Sequence, residues 1–207
     1  MPPPRVHLAL TEPAPWITRF AALIRPGGTV LDVACGGGRH ARWLLDRGFH
    51  LTLVDRDTTA VADLADRADV IAADLEDGTP WPLAGRRFDA VVVTNYLFRP
   101  LLSRLVESVA PGGVLLYQTF AVGNERWSRP RDPDHLLRPG ELLTAVAGRL
   151  QVVAFEQGIV QRPGRDRPAV VQSLCAAATD QPLAVPPSLP AAAPASVGGA
   201  PVTGSPN

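Results

Sequence analysis

The 207-residue chain contains no lysine; all 20 of its basic residues are arginine. That removes a Walker-A phosphate lysine, a pyridoxal Schiff base and any lysine nucleophile from consideration. Acidic residues also number 20, so the formal charge is zero and no global field draws the chain to nucleic acid. Cysteine is scarce. Cys35 and Cys175 stand far apart, in no CxxC or Cys/His cluster, and read as buried free thiols rather than a disulfide framework, a zinc site or a redox pair. No run approaches the ~18 apolar residues of a membrane span. The first residues, Met-Pro-Pro-Pro-Arg-Val-His, open no long apolar core of a secretory signal, so a cytoplasmic location without a membrane partner is expected.

What is present is an apolar fraction of 46% and enough length for one α/β domain with a full core. From Gln181 onward there is no charged residue, and Pro, Ala, Gly and Ser dominate. Residues 1–179 are therefore expected to form the domain and 180–207 a disordered tail outside the chemistry.

The most informative stretch is 29–41. Thr29 to Val33 reads as a buried strand, Gly36, Gly37 and Gly38 as a turn, and Arg39 as the start of a helix. Such a turn presents backbone N–H groups to a ligand, and glycine lets that ligand lie against the main chain. Gly36, Gly38 and Ala41 satisfy the dinucleotide pattern G-x-G-x-x-G/A. Asp32 lies inside the strand just before the turn. A buried carboxylate there is costly unless paired, and it repels a pyrophosphate but not a cationic amino group.

Further along, the spacing of Trp16, Phe20, Leu23 and Ile24 predicts a helix over 15–25, and further helices are expected at 39–47, 58–67, 101–109 and 139–147. Strands are expected at 51–54, 70–73, 88–94 and before Phe120, with a closing pair at 150–156 and 169–176. The strands at 29–33, 51–54, 70–73 and 88–94 run into Gly36, Asp55, Asp74 and Asn95. Ligands of open α/β sheets sit outside the carboxyl ends of the strands, so four polar strand ends on one edge predict a ligand site there. Asp55 falls near the distance at which an acid accepts from an adenosine ribose, whichever cofactor carries it. Residues 121–138 form a long connection without period, the kind that is usually functional or mobile.

The combination Asp-x-Ala-x-Gly-x-Gly at 32–38, with Asp55 and Asp74, resembles class I S-adenosylmethionine (SAM) dependent methyltransferases over about residues 15–178. Tyr117-Gln-Thr-Phe-Ala, Gly123-Asn-Glu-Arg and Leu136-Leu-Arg-Pro-Gly-Glu-Leu resemble a bacterial subgroup related to tellurite-resistance methyltransferases. The resemblance implies a Rossmann-like sheet of seven mostly parallel strands, helices on both faces and an antiparallel last strand. It implies SAM as cofactor, leaving as S-adenosylhomocysteine. By the same analogy, Asp32 and the backbone of Ala34, Cys35, Gly36 and Gly38 hold the methionine part. Asp55 and Arg56 hold the ribose, Asp74 and Leu75 the adenine, and Asn95 and Tyr96 flank the sulfonium. Tyr96, Arg99, Tyr117, Thr119, Glu125 and Arg126 are the candidates for contact with a small-molecule acceptor. Methyl transfer is chiefly a matter of positioning, so no catalytic triad is expected and none stands out. The chain is expected to act as a monomer or homodimer, with nucleic acid not a partner. Two alternatives remain: an NAD-linked oxidoreductase, against which Asp32 and the missing lysine count, and a non-catalytic SAM-binding module.

Overall fold

A computed structural model describes residues 11–162 and 166–187. Residues 1–10 lie outside these, as does the expected tail from position 188. Residues 181–187 run back along the first helix, where Arg19 Nε donates to the Pro186 carbonyl at 2.9 Å.

The strands are β1 (Thr29–Val33), β2 (His50–Asp55), β3 (Ala68–Ala72), β4 (Phe88–Thr94), β5 (Val109–Phe120), β6 (Gln151–Val160) and β7 (Ala169–Ala177). They form one sheet in the order β3-β2-β1-β4-β5-β7-β6. The first five strands in that order pair in parallel, whereas β7 runs antiparallel to both neighbours. The central strands are apolar on both faces because helices cover both. One face packs Val30, Leu53 and Val92 beneath α1 (Pro15–Phe20) and α2 (Arg39–Leu45). The other packs Leu31, Val93 and Leu115 beneath α3 (Leu102–Glu107) and α4 (Glu141–Val146). Among the described residues, no helix is long and apolar enough to cross a membrane.

Several elements are shorter or tighter than their sequence periods suggest. The helix expected over 15–25 ends as α at Phe20, continues as a 3-10 turn over Ala21–Leu23, and stops before the turn at Gly27. The segment 58–67 is a 3-10 helix over Thr59–Leu64 rather than an α-helix. Asp57 Oδ1 holds Thr59 N–H at its start. The helix expected at 101–109 begins as a 3-10 turn and becomes α3. Trp81 lies against the core on the α3/α4 side. Cys175 is fully buried and Cys35 nearly so; both are free thiols.

The end of the sheet opposite the polar strand ends is clamped by Asp89. Its carboxylate accepts from Thr29 N–H at 2.6 Å, from the Thr29 hydroxyl at 2.8 Å and from Arg25 Nε at 2.6 Å. These donors hold its pKa down at about 2. Beside it, Gly113 passes so close to β4 that a Cβ would sit 2.9 Å from the carbonyl oxygens of Phe88, Asp89 and Ala110. Those are backbone atoms and cannot step aside as a side chain would. Gly113→Ala is therefore expected to destabilise the protein by about 3 kcal/mol, in the upper range for overpacking. A urea unfolding midpoint unchanged by this substitution would show that the β4–β5 contact is looser than described.

Candidate functional site

The carboxyl edge of β1, β2, β3, β4 and β5 opens into a cavity of about 1200 Å³. Its floor is the loop after β1. Ala34 (φ 53°) and Gly36 (φ 56°) both take left-handed backbone, which turns the chain sharply off the strand. Ala34 does so against its Cβ, at a cost of order 1 kcal/mol, and a strained residue of this kind marks a place the surrounding fold holds on purpose. At the end of β4, Asn95 repeats the pattern with φ 55°.

Asp55 locks the floor in place. Its Oδ2 accepts from Gly36 N–H at 2.8 Å and its Oδ1 from Asp57 N–H at 3.0 Å. The carboxylate also faces the cavity, beside Arg56. Asp74 and Leu75, following β3, form the adjoining wall with Glu76. Tyr96 stands across from them. Its hydroxyl is buried on the Glu76 side, and burial, together with the charge and hydrogen bonding of Glu76 and the charges of Asp74 and Asp55, pushes the phenol above its usual pKa.

Asp32 lies directly behind this floor, on β1 opposite Leu53 and Val92. It is 1% exposed, and its Oδ2 has no hydrogen-bond partner. Burial pushes its pKa up to about 7, with Asp55 adding to the rise and Arg39 opposing it. A buried carboxylate left in this condition is an acceptor awaiting a cation.

His40, on the first turn of α2, is also buried and reaches the cavity wall. Its Nε2 accepts from Ala14 N–H at 3.1 Å, which places the ring proton on Nδ1, 3.5 Å from the Thr94 hydroxyl. Burial, helped by Arg39, pushes its pKa down to about 3, so the ring is neutral at physiological pH.

Of the residues singled out from sequence, the structure brings Ala34, Cys35, Gly36, Asp55, Arg56, Asp74, Leu75, Asn95, Tyr96 and Thr119 to the cavity. Gly38 stays out of the wall. Its φ of 71° and a prospective Cβ 2.6 Å from Val61 Cγ1 show that glycine is required there for packing of α2 on the 3-10 helix. Four acceptor-side candidates lie elsewhere. Arg99 is captured by both carboxylate oxygens of Glu141 and by the carbonyls of Asp134 and Leu136. Tyr117 is 1% exposed in the α3/α4 core, its hydroxyl donating to the Tyr96 carbonyl at 2.9 Å. Glu125 accepts from Gly123 N–H, and Arg126 is exposed outside the wall. Instead the far side of the cavity carries Phe120, Arg129, Arg131, His135, Arg162 and Arg167. The arginines of the β6–β7 connection were visible in the sequence, but nothing in their spacing joined them to the 121–138 loop.

An acid-glycine loop after β1, acids after β2 and β3, and an antiparallel seventh strand inserted between β5 and β6 together define a class I SAM-dependent methyltransferase, and this chain belongs to that family. A family model described as a methyltransferase domain matches residues 30–113. The chain is 32% identical over 173 residues to a ubiquinone biosynthesis O-methyltransferase of Paraburkholderia phytofirmans, covering 72% of this chain and 74% of that protein. It is 34% identical over 102 residues to a demethylmenaquinone methyltransferase of Beutenbergia cavernae, covering 47% and 42% respectively. Among solved structures, TehB from Haemophilus influenzae superposes with a TM-score of 0.65 at 18% identity, over 79% of this chain and 61% of TehB. The chain thus spans about three fifths of TehB's length. The glycopeptide N-methyltransferase MtfA in complex with S-adenosylhomocysteine gives 0.53 at 19% identity, over 79% and 90%. SAM is accordingly the cofactor, and the NAD-linked reading falls away.

Proposed function

We propose that the chain transfers the methyl group of SAM to a nucleophilic atom of a small molecule held between the strand ends and the 121–138 loop. The observation that carries this reading is the single cavity joining the two. Pockets for one drug-sized ligand run to roughly 300–1000 Å³, so about 1200 Å³ holds a cofactor and an acceptor side by side.

The residues fit the cofactor. Asp32, with its unpartnered oxygen, suits the cationic amino group, and the Ala34–Gly36 backbone lets the methionine part approach. Asp55 suits the ribose hydroxyls, Asp74 and Leu75 the adenine, and Asn95 and Tyr96 the neighbourhood of the sulfonium. Bound there, SAM supplies a carbon already activated for in-line displacement. The chain's own work is to align the two reactants and exclude water, and alignment alone is worth up to ~7–11 kcal/mol. Neutral His40 donates from Nδ1 and bears no charge that would repel a sulfonium. Where the nucleophile must lose a proton, His135 is the imidazole on the acceptor side. The domain within residues 1–179 carries the chemistry, in the cytoplasm, as a monomer or homodimer, without membrane or nucleic acid as partner.

Incubation with SAM and a bacterial small-molecule extract is expected to release S-adenosylhomocysteine together with a product heavier by one methylene. Phenols and quinols are the first acceptors to try, given the relatives' names. His135→Ala is expected to lower kcat on a protonated acceptor by about 10²-fold or more while leaving S-adenosylhomocysteine affinity unchanged. Methylation confined to protein or nucleic acid would overturn the small-molecule reading.

A further inference from the structure

We infer that the acceptor carries a compact anionic group, a carboxylate or phosphate-like oxyanion, received by guanidiniums at the loop end of the cavity; this rests on the methyltransferase reading of the same cavity.

The two ends of the cavity differ in charge. The cofactor end presents Asp55, Asp74 and Glu76 together with Arg39 and Arg56. The loop end presents Arg129, Arg131, Arg162 and Arg167 against Asp132 and Asp166. Asp132 caps its own turn, its Oδ1 accepting from Asp134 N–H at 3.0 Å. Among the described residues, Arg129, Arg131 and Arg167 have no carboxylate within ion-pair distance. Elsewhere in the chain arginines are commonly paired, as at Arg25–Asp89 and Arg99–Glu141. Guanidinium presents a fork of donors that matches carboxylate and phosphate oxygens in pairs.

These arginines are also positioned rather than merely present. Arg162 stacks on the Phe120 ring at the end of β5, 5.1 Å from its centroid. The turn bearing Arg129 and Arg131 is anchored by Asn124, which is 0% exposed. Asn124 Nδ2 donates to the Ser128 carbonyl at 3.3 Å and the Pro130 carbonyl at 3.0 Å, while its Oδ1 accepts from Val170 N–H of β7 at 3.3 Å. One buried amide thus ties the arginine turn to β7. Asn124 is a positioning residue; Arg129 and Arg131 are the groups that touch the ligand.

The test uses S-adenosylhomocysteine-loaded protein titrated with benzoate, inorganic phosphate and the neutral isostere benzamide. At least one anion is expected to bind with millimolar affinity or better, ten-fold or more above benzamide, weakening as salt rises. Arg129→Gln/Arg131→Gln should raise that Kd at least ten-fold. Asn124→Ala should do so too, provided its unfolding midpoint shows it folded. Arg126→Gln, outside the wall, should change nothing. Benzamide binding as well as benzoate, no anion binding at all, or equal anion affinity in the double variant would each overturn the inference. Affinity for S-adenosylhomocysteine is read in the same proteins. Its loss in wild type would count against the methyltransferase reading, and its retention with no anion site would count against this inference alone.

Discussion

Asp55→Ala is expected to weaken S-adenosylhomocysteine binding by about 100-fold. The carboxylate does two things at once. It pins Gly36 N–H at 2.8 Å, setting the floor after β1, and it faces the cavity, where the proposed ribose hydroxyls would need an acceptor. A hydrogen bond to a charged group contributes about 1.5–3 kcal/mol. Losing one ribose contact and part of the loop order comes to about 3 kcal/mol, which is two decades in Kd. Asp55→Asn retains one acceptor oxygen and should fall between wild type and alanine. Calorimetric titration of the three proteins checks this ordering. An alanine variant within about three-fold of wild type would detach Asp55 from the ribose.

The second large effect concerns pH. Asp32 has a folded pKa of about 7 because of burial, well above the 3.8 of an unfolded aspartate. Between those values the native protein keeps a proton that the unfolded chain has released. This group's contribution to stability therefore falls as pH rises from about 4 to 7, by an amount on the order of 4 kcal/mol, and is level above that. His40 runs the other way. Its folded pKa of about 3 lies below the unfolded 6.5, so its contribution is lost as pH falls through that interval. The two opposing slopes overlap between pH 4 and 6.5 and largely cancel. Asp32→Asn is expected to expose the His40 slope, with stability rising by several kcal/mol relative to wild type between pH 4 and 7. Urea midpoints measured across that range read the difference. Parallel curves for Asp32→Asn and wild type would mean that the carboxylate is not buried as described. A cationic amino group placed near Asp32 favours its charged form, so ligand binding near pH 6 should release a proton and its heat should vary with buffer.

Much of the sheet was legible because its central strands are apolar on both faces, as at Val91, Val92 and Val93, and because each ends in glycine or a polar group. Asp55 and Asp74, proposed for the ribose and the adenine, follow strand ends, and strand ends are what sequence locates best. Positions set by how far along a strand a residue lies, or by distant partners, were harder. Tyr117 and Thr119 are two residues apart, yet Tyr117 is sealed beneath α3 and α4 while Thr119 reaches the cavity. Arg99 looked like an acceptor contact until Glu141, 42 residues away, claimed its guanidinium. Gly38 fits a cofactor fingerprint but answers to Val61. The acceptor side depends on where the 121–138 loop lies against β7, and that path is fixed by Asn124, a residue whose type gives no hint of the role.

The most direct measurement is a calorimetric titration of the purified protein with S-adenosylhomocysteine and, separately, with NAD. One site of micromolar affinity for the first, proton release near pH 6 and silence with NAD is the expected result. Binding of NAD alone, or of neither, would contradict the assignment of Asp32, Asp55 and Asp74 to a SAM site.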